Sequence, residues 1–178
     1  MAETTQASTA RQITVIGLGR AGAGVADRVK RHFAFPGLVV IAADTDREVL
    51  DEMQADQSLL IGDRCTHGEG CGGDLRTGQR AAEASADHLR DILKRSRMVL
   101  AASGLGGGVG SATPALLARL GRECAVPVVF LVTLPFSFEG AKRVNTAETA
   151  LEMLRDETDA VIAVPNSLLF GQLSPDTR

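Results

Sequence analysis

Paired cysteines are missing from this sequence: its three, Cys65, Cys71 and Cys124, include no C-x-x-C spacing. An odd set so arranged makes no disulfide framework and suits a reducing compartment. Long hydrophobic runs are missing as well. The longest apolar stretches, near 98–102 and 125–136, fall short of the roughly 20 residues that a membrane-spanning helix needs, and residues 1–10, MAETTQASTA, have neither a cationic start nor an apolar core. We expect a cytoplasmic protein with no membrane insertion. Basic clusters are the third absence. Nineteen Lys and Arg stand against 22 Asp and Glu, a net charge of −3, and no cluster is of the kind that follows a phosphate backbone, so nucleic acid is not an expected partner.

No internal repeat or low-complexity tract is present, and nothing matches the lysine P-loop G-x-x-x-x-G-K-[ST]. Cys65, His67 and Cys71 lie close together, but zinc takes four ligands, usually from two short paired motifs, and there is no second pair. No metal ligand is assigned. His32 and His88 fall on helix-like segments among Arg and Asp, which reads as a solvated face.

What the sequence does have is glycine, 19 of them in 178 residues. A chain of this length makes one compact domain that buries roughly two-thirds of the surface exposed by its unfolded form. Residues 13–16 read as a buried strand entering the turn GLGRAG at 17–22, and 23–35 as a helix through Val25, Val29 and Phe33, ended by Pro36-Gly37. Residues 38–43 are a continuous apolar run, the mark of a strand covered on both faces, followed by Asp44-Thr-Asp46 and a short helix over 46–53. The stretch 62–78 reads as a long glycine-rich loop, and 77–95 as one amphipathic helix. Strands follow at 98–102, 127–133 and 160–164, with helices near 113–124 and 140–157. That alternation predicts an α/β fold with a doubly wound, mostly parallel sheet, in which ligands bind at the carboxyl ends of the strands. The domain spans 12–170, between tails at 1–11 and 171–178.

GLGRAG spells the dinucleotide fingerprint G-x-G-x-x-G, with Asp44 or Asp46 available to a ribose. An NAD-binding oxidoreductase would leave two further glycine-rich loops unexplained. The three loops, at 17–24, 70–73 and 104–110, are instead explained together if bare peptide N–H groups surround a phosphate chain at helix entrances. Pro114 then suits the first turn of the helix after GLGGGVGS at 104–111, with Ser111 or Thr113 as its cap.

Three segments, in order, resemble the tubulin/FtsZ family, its bacterial FtsZ branch most closely. GLGGGVGS resembles the signature G-G-G-T-G-[ST]-G; LPFSFEGAKRVNTAE at 134–148 is similar to R-P-F-S-F-E-G-x-[KR]-R-x-x-x-A-E; VIAVPNSLL at 161–169 is similar to the stretch ending I-P-N-D-x-L. The resemblance covers residues 12–170. It implies GTP or GDP with Mg2+, held by Gly19, Arg20, Ala21 and Gly22 of the first loop and by Gly106, Gly107, Gly108, Val109, Gly110 and Ser111 of the third. Gly72 and Gly73 would close over the terminal phosphate and Asp46 would stand near the metal. Glu139 would take the ribose hydroxyls, Arg143 would approach the base and Asn166 would bind the guanine edge. From the residues alone, Glu139 and Arg143 are equally a helical surface pair and Asn166 a turn former.

Several positions depart from the family pattern. Val109 replaces the signature threonine in a loop one residue shorter, Arg20 and Ala21 replace consecutive glycines, Asp44 replaces asparagine, and Asp74-Leu75 replace Asn-Pro. The family's long central helix, acidic catalytic loop and second domain are not in the sequence, which implies weak or absent hydrolysis unless another subunit supplies the loop. The chain reads as a piece of a longer protein or a short relative, and the surface that the helix would cover needs a partner. Self-association, or service as a non-enzymatic partner of an intact FtsZ homologue, is the alternative role.

Overall fold

The computed structural model describes residues 12–171, so the tail expected at 1–11 and all but the first residue of the one at 171–178 lie outside the described residues. The strands are β1 (Gln12–Leu18), β2 (Leu38–Asp44), β3 (Gln57–Leu60), β4 (Ser96–Gly104), β5 (Val128–Leu134) and β6 (Val161–Pro165). The helices are α1 (Gly19–His32), α2 (Arg47–Asp51), α3 (Asp63–Thr66), α4 (Leu75–Ala84), α5 (Ala86–Arg95), α6 (Val109–Glu123) and α7 (Ala141–Glu157), with 3-10 turns at Ser137–Glu139 and Asn166–Gly171. All six strands run parallel in the order β3-β2-β1-β4-β5-β6. This is the doubly wound α/β arrangement read from the sequence. The order reverses between β1 and β4, which opens a crevice above their carboxyl ends.

Strand alternation sorts the side chains between two faces. Ile16, Ile41, Val99, Ala101 and Phe130 project toward Leu89 and Leu93 of α5, Leu117 and Leu120 of α6 and Leu154 of α7, forming the main core. On the opposite face Ala42 packs with Ala23 of α1 and with Val49 and Leu50. Gly22 makes this contact close: a Cβ there would collide with the Ala102 carbonyl oxygen on β4. Register carries the same face outward through Gly17, Ala102, Leu131 and Ile162. Beyond α1 it is open, with Leu100, Leu131 and Ile162 exposed to 38%, 42% and 56%. Among the described residues no helix is long and apolar enough to cross a membrane.

Four expectations are corrected. Helices α1 and α6 begin at Gly19 and Val109 rather than at 23 and 113, because the glycine turns are themselves wound as first helical turns. The single helix over 77–95 is two, divided at Ser85, whose buried hydroxyl accepts a hydrogen bond from Gly62 N at 2.8 Å. The loop at 62–78 contains α3 and the opening of α4, capped by Asp74, which accepts from Thr77 N at 2.7 Å. Finally β3 went unread: it has four residues, two of them exposed, too few to show a period.

Pro114 is likewise inside α6 rather than in its first turn, and Gly108, not Ser111 or Thr113, occupies the cap position. An interior proline has no N–H for the carbonyl four residues earlier. Here that carbonyl, of Gly110, accepts instead from the buried Ser103 hydroxyl at 2.6 Å. Ser111 turns its hydroxyl outward from the helix to accept from Gly106 N at 2.8 Å.

Candidate functional site

A cavity of about 410 Å³ lies above the carboxyl ends of the strands, where the loops after β1, β2, β4, β5 and β6 converge. The volume is within the usual range for small-ligand sites. From the β1 tip come Gly19, Arg20 and Ala21, and from the β2 tip Asp44, Thr45 and Asp46. Segment 69–73 forms one wall. The β4 loop gives Gly104, Leu105, Gly107, Gly108, Val109 and Gly110, while the far end is lined by Thr133, Pro135, Glu139, Arg143 and Asn166.

The two long helices beside the cavity start almost in contact. A Cβ on Gly19 would come within 3.0 Å of the Gly110 Cα. Neither α1 nor α6 has a side-chain cap: Leu18 and Gly108 hold the cap positions without a side-chain hydrogen bond. First-turn N–H groups have no carbonyl four residues before them, and the aligned peptide dipoles place partial positive charge at the same ends. Two such ends on one cavity make an anion cradle built of backbone.

Segment 69–73 is tied down rather than loose. Asp46 and Glu69 form an isolated β-bridge, Gly70 N donates to Thr45 O at 3.1 Å, and Cys71 Sγ packs where a Cβ on Gly108 would stand. The wall thus rests directly on the start of α6.

Charge in the cavity is organised as pairs. Arg20 approaches Asp46 at 3.6 Å, and Arg143 approaches Glu139 at 3.1 Å. Asp46 uses its other oxygen to cap α2, accepting from Glu48 N at 3.0 Å. Glu139 accepts from Phe136 N at 2.7 Å, which fixes its carboxylate at the turn before α7. Asp44 is buried and accepts from Thr45 N at 2.6 Å and Asp46 N at 3.1 Å. Burial raises its carboxyl above the ordinary value, the Asp46 charge adding to the effect, against the downward pull of those two hydrogen bonds.

Of the residues singled out from the sequence, Gly19, Arg20, Ala21, Asp46, Gly72, Gly73, Gly107, Gly108, Val109, Gly110, Glu139, Arg143 and Asn166 are brought together on this one cavity. Gly22, Gly106 and Ser111 are not among its lining residues. Gly22 packs α1 on β4, Gly106 lies under the Arg143 stem, and Ser111 is buried with its hydroxyl on Gly106 N. Sequence reasoning passed over Thr45, Glu69, Cys71, Thr133 and Pro135 as lining residues. Their signal was positional, since each sits at a strand tip or in the glycine wall where the fold gathers its ligands.

A nucleotide fits this chemistry: peptide N–H donors at the glycine-rich end, and at the other a carboxylate and an amide suited to hydroxyls and a polar base edge. For a divalent ion the protein supplies less. Among the described residues no three His, Cys, Asp or Glu groups are gathered as ligands, so Mg2+ here would take most of its oxygens from phosphate and water, with Asp46 at the β2 tip as a carboxylate on the same cavity.

Comparison with known proteins places relatives beside this geometry. The family model described as "Tubulin/FtsZ family, GTPase domain" matches residues 12–174. Cell division protein FtsZ 1 of Methanocaldococcus jannaschii is 36% identical over 162 residues, covering 91% of this chain and 44% of the relative. FtsZ 1 of Halobacterium salinarum is 40% identical over 161 residues, covering 90% and 40%. The chain therefore spans less than half the length of these curated relatives. Among solved structures, an FtsZ dimer from M. jannaschii matches with a TM-score of 0.87 at 35% identity, covering 94% of this chain and 48% of that one. CetZ2 from Haloferax volcanii, a GTPγS-bound protofilament, matches at 0.81 with 29% identity, covering 94% and 52%.

Proposed function

The chain belongs to the tubulin/FtsZ family, and from that membership we propose that its cavity binds GTP or GDP. The phosphates lie against the first turns of α1 and α6, and the guanine edge lies at Asn166. The observation that carries this reading is the pair of uncapped helix starts facing one glycine-walled cavity. Backbone donors do not discriminate among nucleotides, so base choice falls to the β5 and β6 side. Glu139, held by Phe136 N, accepts from ribose hydroxyls, and the Asn166 amide donates to and accepts from guanine. Mg2+, when bound, screens the phosphate charge from the carboxylates around it.

Hydrolysis is slow in this reading. Asp44 is buried among its own backbone partners, and Glu139 is engaged by Arg143 and by Phe136 N, so neither carboxylate is well suited to activate water. The dimer and protofilament of the solved relatives, together with the open face at Leu131 and Ile162, support self-association or assembly with an intact FtsZ homologue as a second property.

Calorimetry of the full chain with GTP, GDP, ATP and NAD in Mg2+ tests the proposal. Guanine nucleotides should bind at least tenfold more tightly than ATP, with no NAD binding. Asn166→Ala should erase most of that preference, since one unmatched polar contact is worth roughly 1–3 kcal/mol. No guanine binding at millimolar nucleotide sinks the reading, and unchanged selectivity in the variant removes Asn166 from it.

A further inference from the structure

The cavity is short of positive charge for the ligand just assigned to it. Its lining contains four acidic side chains, Asp44, Asp46, Glu69 and Glu139, against two arginines, Arg20 and Arg143. Arg143 serves the nucleoside end: its guanidinium is on Glu139 and its stem lies over Gly106. Arg20 is the cation of the glycine-rich end. It belongs to the first turn of α1, so its own peptide N–H and its guanidinium start from the same corner of the cradle.

How Arg20 is held is informative. Its side chain is 68% exposed, and its ion pair with Asp46, at 3.6 Å, is longer than a hydrogen bond. Such a pair contributes little and exchanges readily. Phosphate oxygens offer a guanidinium a shorter, two-pronged contact that a single carboxylate oxygen at this distance does not. Asp46 loses little when Arg20 leaves, because its second oxygen stays on Glu48 N at the start of α2.

We infer that Arg20 is a phosphate ligand held in reserve by Asp46: nucleotide binding exchanges the carboxylate for terminal phosphate oxygens, so the protein itself supplies part of the neutralising charge that would otherwise come from Mg2+. The inference rests on the guanine-nucleotide reading above. It assigns Arg20 two consequences, binding that survives removal of Mg2+ and a preference for the longer phosphate chain. It also makes Asp46 a competitor for Arg20 in the absence of the ion.

The test is calorimetric binding of GTP and GDP to the full chain, in Mg2+ and in EDTA, for the wild type, Arg20→Gly, Arg20→Lys and Asp46→Asn. In EDTA the wild type should favour GTP over GDP. Arg20→Gly should lose roughly 10- to 100-fold in GTP affinity, the worth of a charged hydrogen-bonded contact, and should lose less in Mg2+. Arg20→Lys should fall between, keeping the charge without the fork. Asp46→Asn should bind GTP more tightly than wild type in EDTA, since Asn preserves the helix cap and releases the guanidinium. Equal affinity of wild type and Arg20→Gly in EDTA, or weaker binding by Asp46→Asn there, overturns the inference while leaving the nucleotide reading standing. A wild type that binds neither nucleotide in either condition overturns that reading and this inference with it.

Discussion

Asp44 shows what one substitution of an oxygen for a nitrogen can do at a buried position. Its carboxyl accepts two backbone N–H bonds that an asparagine oxygen accepts equally well, so the charge adds a desolvation cost without adding a partner. The folded-state pKa lies above the unfolded value, so the native chain holds this proton more firmly. Stability from this group is therefore fully present below the unfolded pKa and is lost as pH rises through the folded one. Asp44→Asn should be more stable than wild type at neutral pH, and the difference should vanish as pH falls through the carboxylate range. Urea midpoints measured from pH 4 to 8 check this; parallel profiles for the two proteins would show that Asp44 ionises as freely in the fold as in the unfolded chain.

At the scale of elements, α6 depends on an arrangement that crosses from helix to strand. Pro114 leaves the Gly110 carbonyl without its helical donor, and Ser103, at the end of β4, donates to it from 85 residues beyond Leu18, whose carbonyl lies 3.1 Å from the same hydroxyl. The helix start that forms half of the anion cradle is thereby locked to the sheet. Ser103→Ala removes the donor and leaves a buried carbonyl unsatisfied, at a cost of about 1–3 kcal/mol. Denaturant unfolding should register that loss, and Ser103→Ala combined with Pro114→Ala should recover most of it, because alanine restores the N–H. A double variant no more stable than the single would place the Gly110 carbonyl outside the cause.

At the scale of the whole molecule, the sheet is covered unevenly. One face is closed by α4 to α7 and the other in part by α1, which packs over β2, β1 and the Ala102 end of β4 and leaves Leu100, Leu131 and Ile162 in contact with water. Contiguous apolar surface of this kind marks an association surface. Leu131→Thr with Ile162→Thr should lower binding of a hydrophobic dye and reduce association in sedimentation. The urea midpoint should move little, because threonine keeps the strand preference and the sites are half exposed. Dye binding unchanged by the pair would mean that the open face is not the apolar surface exposed in solution.

Much of this architecture was legible along the chain because its longer strands are apolar and are followed by helix-like periods: 38–43, covered on both faces, reads as a continuous apolar run, and 127–133 reads as a strand although one of its faces is open at Leu131. Segments that rely on distant partners were not legible. The four residues of β3 gain their strand identity from pairing with β2, and Ser85 breaks a helix because Gly62 N reaches it from 23 residues away. Glycine misled in a consistent direction. Read locally it signals a loop, yet at Gly19 and Gly110 it allows two helices to begin in near contact.

By itself the sequence determined the parallel α/β class, the glycine-rich loops and the family signature, because periodicity and short motifs are encoded by neighbours. Which of those glycines face a cavity and which only pack, and that Arg20 meets Asp46, were decided by the tertiary structure alone. Each depends on the strand order, which brings the tips of β1, β2 and β4 together across intervals of chain that no local pattern spans.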